Sequence, residues 1–174
     1  MPEALLTPEA AEAAEVAARQ ISTNADAMAQ LGEQLRRRNP AFIATCARGS
    51  SDHAMTYGKY LLERTLGLPV ASLGPSLASV YGEELDLSGA VFIAASQSGR
   101  SPDALQLTET AKRGGALTVG LINDMESPLA ALVDVALPLA AGSETSVAAT
   151  KSFLATGIAL LHLAAAWSCE RDLA

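Results

Sequence analysis

The sequence predicts a three-layer α/β domain, with a parallel five-stranded sheet held between helices. Three observations carry this. Short, near-continuously apolar runs, of which "AVFIAA" at 90–95 is the clearest, alternate with helix-forming stretches of 8 to 16 residues. The composition is 49% hydrophobic but only 4% aromatic, so the core must be built from Ala, Leu, Val and Ile, which suits close helix–sheet packing better than a β-sandwich. Finally, 174 residues are enough for one well-buried domain and too few for two full-sized ones.

Each element has its own signal. Residues 8–38 are rich in Ala, Glu, Gln, Leu and Arg, with acidic residues early and Arg36, Arg37 and Arg38 late, as a helix dipole favours. "ISTN" at 21–24 is expected to divide this stretch into two helices, which form an N-terminal arm over 1–40 that docks on a partner subunit. After Pro40 the α/β domain proper (41–174) begins with "FIATCA" at 42–47 as a strand. A helix is expected over 52–67, closed by Gly67, then a strand at 69–73 ("PVASL") and a short helix from Ser76 to about Tyr81. "AVFIAA" is the third strand. It is followed by a helix over 101–115 ending at Gly114 and Gly115, a strand at 117–123, a helix over 127–134 and a strand at 135–139. A long apolar helix over 145–168 completes the chain. No repeat, linker or low-complexity segment interrupts it.

Charge and cysteine usage exclude several classes. A net charge of −7 argues against nucleic-acid backbones and anionic membranes as partners. The most apolar stretch, "FLATGIALLHLAAAW", is about 15 residues long and contains a histidine, short of a membrane span. Cys46 and Cys169 are far apart and form no CxxC pair, so neither a disulfide framework nor a zinc site is expected. The opening "MPEALLTPEAAEAAEVAARQ" lacks the positive start of a signal peptide, and the expectation is a cytoplasmic protein.

In a doubly wound sheet, ligands bind beyond the carboxyl ends of the strands where strand order reverses. With the flavodoxin-like order 2-1-3-4-5, that point lies between the first and third strands. The loops there are "ARGSSDHA" and "SQSGRSPDA", the two most Ser-rich in the chain. Ser51, Ser96, Ser98 and Ser101 bring hydroxyl donors and Gln97 an amide, and each loop runs into a helix whose first turn has unpaired N–H groups. Many neutral donors without a lysine describe a cradle for the phosphate of a mobile metabolite. Taken singly, Ser51 and Ser101 read equally well as N-caps, with Pro102 at N1. Neither GxGxxG after the first strand nor GxxxxGK[ST] is present, so no nucleotide fingerprint is met, and no cofactor or metal is expected.

"ARGSSDHA", "SQSGRSPD" and "AGSETSVAATKSF", in that order, resemble the sugar isomerase (SIS) domain family over about residues 20–170, particularly the isomerase half of glucosamine-6-phosphate synthases and the tandem-SIS deaminases. The resemblance implies that Ser51, Ser96, Gln97, Ser98 and Ser101 hold the sugar's phosphate. It places Ser50 and Val147 by the open-chain sugar, and Glu144 and Lys151 on the stretch that lines the site. Arg48 stands where the synthases have a cysteine, and Ala149 where they have a serine, so one sugar hydroxyl contact is expected to be lost or made by backbone. The family's proton-moving base belongs to a second SIS unit or a neighbouring subunit. The chain stops at "SCERDLA", where the relatives continue into that unit, so it is expected to be one half of a longer enzyme or to pair as a homodimer.

Other candidates carry plainer alternatives. His53 reads either as a proton carrier near the sugar or as a side chain bonded back onto its own loop, and the second is preferred. Glu144 is a second weak candidate for a catalytic base. Lys151 is expected to meet either a phosphate or Glu144, and His162, Trp167 and Cys46 to be packed. The function expected is therefore an aldose–ketose isomerase or deaminase of amino-sugar phosphates, with a non-catalytic phosphosugar sensor or structural SIS module as the alternative. Sensors of that kind carry a basic helix-turn-helix, whereas the N-terminal stretch here is acidic.

Overall fold

A computed structural model of the chain describes residues 6–146 and 148–169. Among the described residues, an N-terminal helical pair is followed by five strands alternating with five helices: α1 (Leu6–Ala11), α2 (Ala13–Arg38), β1 (Phe42–Cys46), α3 (Ser50–Leu66), β2 (Val70–Ser72), α4 (Ser76–Ser79), β3 (Ala90–Ser96), α5 (Pro102–Arg113), β4 (Leu117–Ile122), α6 (Pro128–Leu132), β5 (Val135–Pro138) and α7 (Lys151–Ser168). The strands form one all-parallel sheet in the order β2-β1-β3-β4-β5, as the sequence predicts.

Strand alternation sorts the core into two faces. Ile43, Val91, Ile93, Val119 and Leu121 point to the layer made by α2, α3 and α7. Their neighbours Ala44, Phe92, Ala94 and Ile122 point to α5 and α6, where Leu107, Ala111 and Leu129 meet them. Both faces are covered, which is why these strands are apolar along their whole length.

The N-terminal stretch behaves differently from the expected arm. Val16, Met28, Leu31 and Leu35 of α2 belong to the same buried cluster as β1, β3 and α7, so α2 is a layer of the domain. Contact with α7 is close: a Cβ added at Gly32 would lie 2.6 Å from the carbonyl carbon of Ala166. The break expected at "ISTN" is absent because its polar group is used inside the fold. Asn24 is buried and its Nδ2 donates to Pro138 O at 2.8 Å, while Gln20 Nε2 donates to Ala155 O at 2.9 Å. The division falls instead at Glu12, between α1 and α2.

The last helix is also shorter than the sequence suggests. It starts at Lys151 and not at 145, because the Glu144 carboxylate reaches forward to accept the Thr150 N–H at 2.9 Å and the Ser152 N–H at 3.3 Å. Capped from outside by a residue six positions earlier, α7 has no use for Thr145, Ser146 or residues 148–150, which lie outside the helix. Among the described residues no helix is long and apolar enough to cross a membrane.

Candidate functional site

The carboxyl ends of β1 and β3 open into a cavity of about 240 Å³. From the β1 side it receives Arg48 and the first-turn serines of α3, Ser50 and Ser51. From the β3 side come Ser96, Gln97, Ser98 and Ser101, with Ala95 and Ala104 closing the floor, and Ala149 reaches in from the loop before α7. The two serine-rich loops singled out in the sequence therefore share one pocket, at the place where strand order reverses.

Capping accounts for neither helix-start serine. The N-cap of α3 is Gly49, one position before its serines, and no side chain caps that helix. Ser101 is the N-cap of α5 by position, yet its hydroxyl caps nothing: it donates to Asp103 Oδ1 at 2.8 Å. No hydrogen bond ties down the side chains of Ser50, Ser51 or Gln97 among the described residues. The hydroxyls stay available to a ligand, beside the N-terminal turns of two helices whose dipoles favour an anion.

The loop after β3 is built to hold this shape. Ser96 Oγ accepts the Gly99 N–H at 2.9 Å, and the carbonyls of Ser96 and Gln97 accept the N–H groups of Asn123 and Asp124, each at 3.2 Å. Gly99 has φ +62°, and an added Cβ would fall inside the van der Waals shell of Ser127 Oγ and 2.5 Å from Ser127 Cβ. Only glycine fits there. Arg100 is turned outward to Asp124, at 2.9 Å.

One functional group was missed in the sequence. Asp103 holds both Ser101 and, through an ion pair with Nη1, Arg48. Burial by itself would raise the Asp103 pKa, but the Ser101 hydroxyl, the Ala104 N–H and the Arg48 charge together hold it below the ordinary value. The "SPD" triplet at 101–103 signals a helix start, and it is that signal which places a carboxylate at the cavity's rim. Among the described residues Arg48 is the one cationic side chain lining the cavity, and it is already engaged by a carboxylate that an incoming anion would have to replace.

Other residues named from the sequence are placed elsewhere. His53 is exposed on α3, away from the cavity lining, and none of the hydrogen bonds described ties it back to its own loop. The Glu144 carboxylate is consumed by the loop it starts: besides the two backbone N–H groups it accepts Thr150 Oγ1 at 3.1 Å and Ser152 Oγ. Burial pushes its pKa up, but these four donors outweigh that and keep it below the ordinary value. Lys151 meets neither Glu144 nor the cavity. It is 3% exposed and its Nζ pairs with Glu12 Oε2 at 2.8 Å. Val147 lies outside the described residues. Cys46 is buried behind the site, its thiol pushed up to about 12 by burial and by the charges of Asp103 and Asp52. His162 is half-buried in α7, and burial lowers its pKa. Among the described residues no group of three or more His, Cys, Asp or Glu is arranged to hold a metal ion.

A sequence profile of the SIS domain matches residues 34–166. The chain belongs to the SIS domain family. It is 39% identical over 133 residues to the glutamine–fructose-6-phosphate aminotransferase (isomerizing) of Aquifex aeolicus (strain VF5), an alignment that takes in 75% of this chain and 22% of that protein. Among solved structures, a phosphosugar-isomerase-type protein from Silicibacter pomeroyi DSS-3 superposes with a TM-score of 0.94 at 47% identity, covering 98% of this chain and 52% of the other. The C-terminal domain of glucosamine-fructose-6-phosphate aminotransferase from Francisella tularensis shares the fold, with a TM-score of 0.80 at 23% identity over 99% of this chain and 51% of that one. The SIS chain thus spans about one fifth of the curated relatives it matches and about half of these solved structures.

Proposed function

We propose that this SIS domain is the phosphosugar-holding unit of an enzyme that isomerises or deaminates amino-sugar phosphates, of the glucosamine-6-phosphate and fructose-6-phosphate type. The observation that carries the reading is the convergence on one cavity of two loops whose hydroxyls no helix cap uses. A phosphate dianion sits against Ser51, Ser96, Gln97, Ser98 and Ser101, where hydrogen bonds to a charged acceptor are the strong kind. The sugar extends toward Ser50, Arg48 and Ala149, with Arg48 leaving Asp103 to meet the incoming charge.

Proton transfer between C1 and C2 of the open-chain sugar needs a base within about 3 Å of the substrate. Glu144 is saturated by four donors and His53 faces solvent. In this reading the base comes from a second SIS unit. A groove between α3 and α7 supports such a partner: it holds about 370 Å³, is lined by Ala54, Phe153, Gly157, Ile158 and Leu161, and leaves Tyr57 and Leu154 nearly half exposed.

Calorimetric titration tests the reading. Glucosamine-6-phosphate is expected to bind and unphosphorylated glucosamine to give no saturable heat, while the chain by itself turns over neither. Equal binding of the two sugars, or robust turnover by residues 1–174 alone, would contradict it.

A further inference from the structure

We propose that the N-terminal helical layer is part of the sugar side of the cavity, with Glu9 and Glu12 as positioning residues that hold Thr145, Ser146 and Lys151, on either side of Ala149, and so keep Ala149 in place. This inference rests on the phosphosugar reading of the cavity. Among the described residues, those between β5 and α7 have no ladder or helix of their own to fix them, so side chains from elsewhere supply most of the fixed points.

Those side chains come largely from one place. Arg19 donates to Ala140 O from Nε at 2.9 Å and Nη2 at 2.7 Å. Glu9, buried, accepts the Thr145 N–H at 2.7 Å, Thr145 Oγ1 at 3.2 Å, the Ser146 N–H at 3.2 Å and Ser146 Oγ. Glu12 pairs with the buried ammonium of Lys151, and Gln20 holds Ala155 O. Helix α1 is six residues long, too short to be stable by itself, so its place depends on the same contacts. Helix and segment order one another.

The phosphate loops need none of this. The loop after β3 is held by Ser96 Oγ and by the N–H groups of Asn123, Asp124 and Leu129, and the start of α3 by the Asp52 N–H, which donates to Gly49 O. Ala149 is the cavity residue that the N-terminal layer controls. Loosening Glu9 therefore separates two halves of recognition: the sugar is gripped less well and the phosphate as before.

The experiment compares E9Q with E15Q, an exposed charge on α2 that serves as control. Affinity is measured for glucosamine-6-phosphate and for inorganic phosphate, together with amide exchange at Thr145 and Ser146. In E9Q, sugar-phosphate affinity should fall about tenfold while inorganic phosphate stays within about twofold, as expected for lost charge-assisted hydrogen bonds that touch only one side. Exchange at the two amides should rise in E9Q and not in E15Q. Equal weakening of both ligands, undiminished sugar-phosphate affinity, or unchanged exchange would overturn the inference. If the wild-type chain binds no sugar phosphate, the phosphosugar reading falls alone, and faster exchange in E9Q still upholds the clamp while unchanged exchange removes it. T145V, which deletes one of the four donors, keeps the test open should E9Q not fold; it should give the same pattern at smaller size.

Discussion

Replacing Gly99 by alanine tests whether the phosphate loop owes its shape to one residue. Two costs arise, and a second glycine separates them. Gly82 has φ +64°, nearly the same as Gly99 at +62°, but an added Cβ there meets nothing within 4 Å. G82A should thus show only the backbone cost of a left-handed alanine, about 1–2 kcal/mol. In G99A the new methyl must displace Ser127, which is 2% exposed and caps α6 by accepting the Ala130 N–H. Losing that cap costs about 1 kcal/mol, and forcing a methyl into a packed site about 1–3 kcal/mol. G99A is then less stable than G82A by about 2–4 kcal/mol, or roughly 5–15 °C in midpoint for a chain of this size. Thermal unfolding followed by circular dichroism measures the gap, and calorimetry with glucosamine-6-phosphate asks whether binding goes with it. If the two variants melt within about 2 °C of each other, the loop does not depend on the Gly99–Ser127 contact and the argument fails.

Three further outcomes follow from the same geometry. S51A and S98A should each weaken glucosamine-6-phosphate by at least about tenfold, since a hydrogen bond to a charged group is worth about 1.5–3 kcal/mol; unchanged titrations would move the phosphate off these loops. Glu9 is held down from 4.5 to about 2, first by the Ser146 hydroxyl and then by the Thr145 N–H. A depressed carboxyl gives stability that is present above its unfolded pKa and lost as pH falls through the folded one. The melting gap between wild type and E9Q should therefore shrink as pH drops from about 4.5 toward 2, and a constant gap would show that the charge on Glu9 is not what stabilises. At pH 8 a thiol reagent should modify exposed Cys169 in the native chain and spare Cys46, whose thiol is buried and pushed up to about 12; two equivalents before denaturation would contradict this.

Much of the fold was legible because its signals are local. Apolar runs such as "AVFIAA" announce buried parallel strands, Gly67 marks a helix end, and the serine-rich loops could be paired once the strand order was assumed. What escaped the sequence depends on contacts between distant residues. Nothing near "ISTN" shows that Asn24 bonds to Pro138, and nothing near Lys151 shows that its partner is Glu12 and not Glu144. The start of α7 was misread for a related reason. The sequence at 145–150 is compatible with helix, and only the reach of Glu144 to Thr150 and Ser152, with Glu9 gripping Thr145 and Ser146, keeps these contacting residues ahead of Lys151 out of it. Asp103 was visible as a helix-start residue, but its second partner, Arg48, lies on a different strand's loop.

The central claim is that a sugar phosphate is held where the ends of β1 and β3 meet. A crystal structure of the chain soaked with glucosamine-6-phosphate tests it most directly. The account predicts phosphate density within hydrogen-bond distance of the hydroxyls of Ser51, Ser98 and Ser101, with the Arg48–Asp103 pair opened and the sugar pointing toward Ala149. Phosphate bound anywhere else, or an empty cavity at saturating ligand with the Arg48–Asp103 pair intact, would contradict it.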